Sequence, residues 1–214
     1  MFYFILRVIF HIFLLRPFMY VWVGFNVKHI ERLPQKGPAI IVGNHNSHLD
    51  TLALETLLPL HFLKKIRPVA AADYFLGKGF LSWFMLRIMR IIPVCRGAST
   101  GTSDPLATCH EALKRGHILI IYPEGSRGSP GKMEEFKKGI AWLATQHPDV
   151  PVYPVCLNGL GKVLPKGSIF PIPFFCDVAV GETMYGTEDR GSFLCRLESC
   201  MRSLACEIKV QPWI

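Results

Sequence analysis

The stretch Asn44-His45-Asn46-Ser47-His48-Leu49-Asp50 decides how the fold of this 214-residue chain is interpreted. It follows the apolar run Ala39-Ile40-Ile41-Val42, which predicts a short buried strand. Ser47 and Asp50 form a capping signature for a helix that begins at Leu49 and ends near residue 58. His45 is therefore expected at a strand-to-helix turn, at the edge of a sheet, where an imidazole can meet a substrate.

Asp50 lies one helical turn beyond this turn and can fold back toward the imidazole of His45. A carboxylate-oriented imidazole is a general base that can remove a proton from a hydroxyl group. Asp50 has an alternative role, because an acidic residue in the first turn of a helix also stabilises the helix dipole. The heptapeptide alone leaves both roles open.

A second apolar run, Ile118-Leu119-Ile120-Ile121-Tyr122, ends in Pro123-Glu124-Gly125-Ser126-Arg127. A strand that ends in such a turn presents a carboxylate that can bind a hydroxyl and a guanidinium that can bind a phosphate. Downstream, Phe136-Lys137-Lys138-Gly139 is expected within a helix. Two more runs predict buried strands, Ile91 to Val94 before Cys95-Arg96-Gly97, and Val150 to Val155.

Strand and helix patterns alternate along the rest of the chain, which predicts one α/β domain with a largely parallel or mixed sheet flanked by helices. The last helix is expected to carry Cys195, Cys200 and Cys206 in the core. Gly159-Leu160-Gly161-Lys162 lacks the full spacing of a phosphate loop and is interpreted as a turn. The strands are predicted near residues 21–30, 38–43, 68–72, 91–95, 117–122, 151–157 and 176–181, and the helices near 48–58, 78–90, 104–115, 133–146 and 190–209.

The composition is typical of a protein at a membrane surface. The net charge is +8 and half of the residues are apolar, with a mean hydropathy of +0.28. The positive charge favours phosphate-bearing partners such as anionic lipid headgroups. Nucleic acid is disfavoured, because the aromatic residues lie in apolar runs and not among the basic residues. The seven scattered cysteines indicate reduced thiols instead of a disulfide framework or a zinc site.

Residues 1–25 form a separate, strongly apolar segment that is interrupted by Arg7, His11 and Arg16-Pro17. No uncharged run reaches the roughly 18–20 residues of a spanning helix, and no signal-peptide cleavage site follows. Pro17 predicts two short helices, about 2–15 and 17–24. We expect the segment to lie in one leaflet with its arginines reaching lipid phosphates, and the alternatives are a helix packed on the domain or a longer tilted span.

Together these blocks resemble the glycerolipid acyltransferases of the 1-acylglycerol-3-phosphate acyltransferase type. His45 to Asp50 is similar to the family's Asn-His-x4-Asp block, Pro123 to Arg127 to its Pro-Glu-Gly-Thr/Ser-Arg block, and Val150 to Val155 to its fourth block. Cys95-Arg96 falls where the second block has its arginine, although an aspartate usually stands in the place of Cys95. The resemblance covers roughly residues 27–185 and implies a catalytic domain over residues 26–214.

The resemblance implies a role for each site residue. His45 and Asp50 are the expected catalytic pair, and Glu124 and Gly125 are expected to bind the glycerol backbone. Arg96 and Arg127 are expected to bind its phosphate, with Lys137 as a weaker candidate. No metal and no bound cofactor is expected, because the acceptor hydroxyl can attack the thioester of acyl-CoA or acyl carrier protein directly.

The expected reaction acylates 1-acylglycerol 3-phosphate to phosphatidic acid, on the cytoplasmic side of a membrane to which the protein is bound as a peripheral or monotopic enzyme. Acyl carrier protein is a partner if it delivers the acyl chain. Another acceptor remains open, namely a different lysophospholipid, glycerol 3-phosphate or a lyso-ornithine lipid. A rival of another class is a non-catalytic basic membrane-binding protein.

Overall fold

A computed structural model of the chain describes residues 2–74, 79–95, 104–128, 133–163, 171–187 and 189–208. Its long helices lie on both faces of a single sheet, as the alternation of strands and helices predicts. The strands are β1 Phe25–Lys28, β2 Ala39–Gly43, β3 Ile66–Ala71, β4 Ile92–Val94, β5 Ile118–Ile121, β6 Val152–Asn158 and β7 Cys176–Val180. The helices are α1 Phe2–Val23, α2 Leu49–Leu57, α3 Gly79–Ile88, α4 Ala107–Lys114, α5 Gly139–Gln146, α6 Leu160–Val163 and α7 Arg190–Glu207.

Within the described residues, seven strands form one sheet in the order β1-β7-β6-β2-β5-β3-β4. Strands β6, β2, β5, β3 and β4 are parallel, and β7 runs antiparallel to β6 and carries β1 beside it. All five residues of β2 are buried, as expected of a central strand covered on both faces. The predicted α/β fold with a mixed sheet is confirmed.

Two apolar clusters fill the space on the two faces of the sheet. One joins α1 and α2 to the sheet through residues such as Leu15, Met19 and Leu54. The other joins α4, α5 and α7 to the opposite face through residues such as Leu113 and Phe193. The chain therefore forms a three-layer sandwich, and both ends of its parallel strands are left for loops.

The predicted strands agree with the structure except for the first. Residues 21–23 belong to α1, so β1 begins only at Phe25. The prediction of a helix over 133–146 is wrong at its start, because α5 begins at Gly139. The residues before α5 are held by main-chain bonds to the 122–128 turn, since Lys137 N–H donates to Pro123 O over 2.8 Å.

The prediction of two short N-terminal helices is also wrong. One helix of 22 residues runs from Phe2 to Val23, with π-helical turns at His11–Leu15 and Phe18–Val23. Pro17 lies between the two π-helical segments, and these wider turns accommodate the proline without a break. By length and composition α1 is long and apolar enough to cross a membrane, with a hydropathy of 1.7.

The sequence led us to expect that the arginines of α1 reach outward to lipid phosphates. In the structure they bind groups of the domain instead. The Arg7 side chain is fully buried, and its Nη2 donates to Glu55 Oε1 of α2 over 2.9 Å. His11, also fully buried, contacts Glu55 Oε2 at 2.8 Å, and Arg16 Nη2 donates to Leu58 O over 2.7 Å. The opposite side of α1 exposes large apolar residues such as Phe13. Its polar groups thus fasten α1 to the domain.

Candidate active site

The carboxyl ends of three neighbouring parallel strands bring the predicted site residues together. Asn44 and His45 follow β2, Tyr122 follows β5, and Asn158 ends β6. Because β2 lies between β5 and β6, these ends meet at one edge of the sheet, which is where open α/β sheets place their ligands. The loops after these strands form the candidate active site.

His45 and Asp50 meet as predicted. The distance from His45 Nδ1 to Asp50 Oδ2 is 2.9 Å, and the imidazole is 20% exposed while the carboxylate is 2% exposed. With Nδ1–H donating to the carboxylate, Nε2 is the basic nitrogen of the ring. The pair has the arrangement of a general base and the group that orients it.

Asp50 also accepts two hydrogen bonds from the backbone that leads into α2. Its Oδ2 accepts from Asn46 N over 2.7 Å and from Ser47 N over 2.8 Å. Ser47 Oγ in turn accepts from Leu49 N over 3.2 Å. The two roles that the sequence left open, capping and orientation, are therefore performed by the same carboxylate.

Tyr122 supports the other face of the imidazole, a contact that the sequence analysis missed. The rings of His45 and Tyr122 stack with their centroids 4.2 Å apart and their planes 18° apart. Tyr122 OH lies 2.9 Å from Thr51 Oγ1, and burial together with the Asp50 carboxylate raises the pKa of Tyr122. The uncharged ring of Tyr122 thus fixes the plane of the His45 imidazole. Its position as the last residue of an apolar strand was the available signal.

Glu124 connects the two motif loops to each other. Its carboxylate is buried, with Oε1 accepting from His45 N over 2.9 Å and Oε2 accepting from Glu134 N over 3.2 Å. Burial raises the pKa of Glu124, and these two backbone bonds act in the opposite direction. Both oxygens thus already have partners in the protein. A contact of Glu124 with a glycerol backbone stays a prediction.

Gly125 and Arg127 complete the turn after β5. Gly125 has a φ of +73°, a conformation that favours glycine, and its N–H donates to Tyr122 O over 3.1 Å. Arg127 is exposed, and its Nη1 donates to Nε2 of His48. His45 O accepts from Gly128 N over 3.0 Å, so this arginine is held at the same edge of the sheet as His45 and Asp50.

Asn44 is a further residue that the sequence analysis did not single out. Its side chain is buried, Nδ2 donates to Leu157 O over 2.9 Å, and Oδ1 accepts from Leu157 N over 2.7 Å. These two bonds fasten the end of β2 to the end of β6. Asn44 could have been identified from its position, as a polar residue between a buried strand and a candidate base.

A cavity of about 170 Å³ adjoins Asp50 on the side of β6. Its wall includes Asn46 and the segment Gly159–Lys162, which we interpreted as a turn. Gly159 does turn the chain, with a φ of +103°, but Leu160–Val163 is the short helix α6. Among the described residues that line this cavity, Lys162 is the one cation.

Arg96 and Lys137, the other predicted phosphate-binding residues, differ in their relation to the site. Arg96 lies outside the described residues, and the strand before it, β4, is three strand positions from β2, or ~14 Å. Lys137 is exposed, and its Cγ lies near Gly125. In the described part of the chain, no three His, Cys, Asp or Glu side chains are grouped as metal ligands.

The sequence of this chain is similar to those of known acyltransferases. A family model described as Acyltransferase matches residues 24–158. The chain is 34% identical over 151 residues to the chloroplastic 1-acyl-sn-glycerol-3-phosphate acyltransferase LPAT1 of Arabidopsis thaliana, covering 70% of this chain and 40% of that protein. It is 28% identical to the 1-acyl-sn-glycerol-3-phosphate acyltransferase of Pseudomonas aeruginosa, covering 76% of this chain and 60% of that protein.

A solved structure shows the same fold. The 1-acyl-sn-glycerophosphate (LPA) acyltransferase PlsC of Thermotoga maritima superposes with a TM-score of 0.74 at 22% identity, covering 97% of this chain and 81% of that one. The curated relatives are longer, and the matches span about 40 to 60% of their length. The family model covers more than half of this chain, and so the chain belongs to the Acyltransferase family.

Proposed function

We propose that this protein transfers a fatty acyl chain from a thioester, acyl-CoA or acyl-carrier protein, to the free hydroxyl of 1-acylglycerol 3-phosphate, giving phosphatidic acid. The observation that carries the proposal is the contact of 2.9 Å between His45 Nδ1 and Asp50 Oδ2 at the open edge of the sheet. The names of the relatives, 1-acyl-sn-glycerol-3-phosphate acyltransferases, support the choice of acceptor.

The reaction follows from the contact between His45 and Asp50. Its Nε2 takes the proton of the acceptor hydroxyl while the hydroxyl oxygen attacks the thioester carbonyl. Asp50 stabilises the imidazolium that forms. The tetrahedral intermediate then expels the thiolate, which receives the proton from Nε2 and leaves as a thiol. One ester bond is formed, one thioester bond is broken, and no acyl-enzyme is required.

The acceptor phosphate is proposed to bind near Arg127. Arg127 and His48 lie together at the exposed side of the loops, and a guanidinium can hold two phosphate oxygens at once. Lys162, in the wall of the cavity beside Asp50, is a second cation within the same region. Arg96 is retained as a proposed phosphate ligand on the resemblance alone.

The exposed apolar sides of α1 and α3 are proposed to hold the enzyme on a membrane, with the catalytic domain on the cytoplasmic side. Tyr3 of α1 and Trp83 of α3 contact each other edge to face, with centroids 6.0 Å apart, so the two helices form one surface. Large apolar residues on it are exposed, including Phe13 at 75% and Phe80 at 76%. Such a surface suits a segment that lies in one leaflet, close to an acceptor that is itself a lipid.

The test measures the thiol released from acyl-CoA by the purified full chain, with and without 1-acylglycerol 3-phosphate. We expect release only when the acceptor is present, and His45→Ala should lower it at least a hundredfold, the scale of a lost general base. His61→Ala, at an exposed position outside the site, is the matched control. If His45→Ala retains more than about a tenth of the activity, the proposed mechanism is wrong. Parallel assays with glycerol 3-phosphate, other lysophospholipids and a lyso-ornithine lipid identify the acceptor.

A further inference from the structure

A group of basic side chains lies at the opposite end of the strands from His45. Arg67 is the second residue of β3, and His117 directly precedes β5. Tyr122, at the active-site end, directly follows β5, so about five residues of extended chain, or ~16 Å, separate the two ends. Arg90 lies beside Arg67. We call Arg67, Arg90 and His117 the β3 basic cluster.

The two arginines of this cluster converge on one backbone oxygen. Arg67 Nη1 donates to Lys64 O over 2.9 Å, and Arg90 Nη1 donates to the same oxygen over 3.3 Å. Arg67 Nη1 also donates to Ile66 O over 2.7 Å, and Arg67 Nη2 lies 3.0 Å from His117 Nε2. With Arg67 donating, His117 is the acceptor and therefore neutral. Two guanidinium groups and one imidazole thus meet within a few ångströms.

In the part of the chain that the structure describes, no carboxylate forms an ion pair with this cluster. The carboxylate that attracts Arg67 electrostatically is Glu55, and its two oxygens are held by Arg7 and His11. The Arg67 side chain is nevertheless buried, at 7% exposure. A buried charge without a counter-ion is unfavourable, and proteins normally pair it.

The surroundings add further positive charge. Burial and the neighbouring Arg90 and Arg7 lower the pKa of Arg67 to about 9. Burial and the cations Arg67, Arg90, Arg115 and Lys65 lower the pKa of His117 to about 4. His117 Nδ1 is buried and has no hydrogen-bond partner among the described residues. Arg90 also has a φ of +59°, a conformation that is strained for a non-glycine residue.

We propose that the β3 basic cluster is a binding site for a phosphate group, separate from the active site. A multiply charged tetrahedral anion supplies the missing counter-charge and offers oxygens to two guanidinium groups, which bind phosphate in a bidentate manner. Lys65 and Arg115 are exposed beside the cluster and attract the anion from solution. The phosphate belongs either to a free anion or to the headgroup of a membrane lipid.

The cluster lies near the surface of α1 and α3 that we propose to face a membrane. Lys64, whose carbonyl both arginines share, places its ammonium 4.9 Å from the ring centroid of Phe4 in α1. Arg90 follows the end of α3 by two residues. The cluster therefore borders the apolar side of α1 and α3, where a lipid headgroup would lie.

The test follows the imidazole of His117 by NMR in the full chain, held in an uncharged detergent, while inorganic phosphate is added at constant ionic strength. We expect a saturable shift of the His117 resonance, and its pKa should rise from about 4 toward 6.5 because the anion cancels the repulsion from the arginines. His117→Gln assigns the resonance. Arg90→Asn tolerates the left-handed backbone and should weaken phosphate binding at least tenfold.

Arg202→Gln, on the exposed side of α7, is the matched control and should bind phosphate as the unmodified protein does. His45→Ala should also bind it normally, which separates this site from the active site. The absence of a saturable shift with both inorganic phosphate and phosphatidylglycerol, or equal binding by Arg90→Asn, overturns the proposal. A second arm replaces the detergent with bicelles of phosphatidylcholine with or without phosphatidylglycerol. A His117 shift produced by phosphatidylglycerol identifies a headgroup as the source, and a shift with inorganic phosphate alone identifies a free anion.

Discussion

Asp50 Oδ2 lies 2.9 Å from His45 Nδ1, and the same oxygen closes the backbone turn that carries the imidazole. The carboxylate thus orients the imidazole in two ways, through the ring and through the main chain of Asn46 and Ser47. A group with both functions couples the stability of the turn to the geometry of the reaction. This coupling makes the role of Asp50 testable by measuring both properties on one variant.

Asp50→Asn should therefore lower turnover and stability together. The amide is neutral, so it stabilises the imidazolium less, and we expect turnover to fall at least a hundredfold. The two backbone N–H groups lose a charged acceptor, which should lower the free energy of unfolding by about 1 to 3 kcal/mol. Steady-state kinetics and chemical denaturation measure the two effects. Unchanged turnover with lowered stability would show that Asp50 only caps α2.

Glu124→Ala distinguishes two functions of the buried glutamate. The structure gives it backbone partners at His45 and Glu134, so its removal leaves two N–H groups without acceptors and displaces the base. We expect lower turnover and a lower melting temperature, which corresponds to a loss of about 1 to 3 kcal/mol in the free energy of unfolding. If Glu124 only binds glycerol, Glu124→Ala should instead raise the Michaelis constant for the acceptor and leave turnover and melting temperature normal. Exposed Glu135→Ala, one residue beyond Glu134 in the chain, is the control.

The strands and the contact between His45 and Asp50 were predictable from sequence because they depend on short stretches of chain. Buried runs such as Ile118–Ile121 are apolar throughout, and His45 and Asp50 are only five residues apart. Burial of Arg7 was not predictable, because its partner Glu55 lies 48 residues away in the chain. The start of α5 was mispredicted because it also depends on a tertiary contact, the hydrogen bond from Glu134 N to the Glu124 carboxylate.

Helix α7 was predicted correctly but its buried side was not. Cys195 and Cys206 are exposed and Cys200 is partly exposed, so the prediction that these cysteines lie in the core is wrong. The buried side of α7 instead consists of Phe193, Leu197, Met201 and Leu204. These residues are spaced by four, four and three positions, which is the helical spacing of one face. The larger apolar side chains decide which side of the helix is buried.

Glu55→Ala should strongly destabilise the protein by leaving the fully buried Arg7 without its partner. Breaking a buried ion pair on one side costs about 3 to 5 kcal/mol. We expect a loss of this size in the free energy of unfolding, measured by denaturation in detergent. Glu111→Ala, which removes an exposed pair with Lys114, should change it by less than about 1 kcal/mol. A similar small change for Glu55→Ala would show that α1 is not fastened to α2 by this pair.

The stability of the protein should rise with pH between about 4 and 6.5. The pKa of His117 is lowered to about 4 in the folded state from 6.5, so only the unfolded chain binds the proton in this window. Stability is therefore lost as the pH falls from 6.5 toward 4. His117→Gln should reduce this pH dependence, and His61→Gln should leave it unchanged. Denaturation curves at several pH values measure it, and an identical slope in His117→Gln would contradict the assignment.

Arg127→Ala tests the proposed phosphate contact of the acceptor. Arg127 is exposed at the same loops as His45 and is held there by His48. A charge-assisted bond to phosphate contributes about 1.5 to 3 kcal/mol, or roughly ten- to a hundredfold in affinity. We therefore expect the Michaelis constant for 1-acylglycerol 3-phosphate to rise by this factor, with the constant for acyl-CoA nearly unchanged. Arg190→Ala, at an exposed position that begins α7, should change neither constant. If Arg127→Ala weakens acyl-CoA instead, the guanidinium faces the phosphates of the donor and the acceptor binds elsewhere, with Lys162 as the next residue to replace.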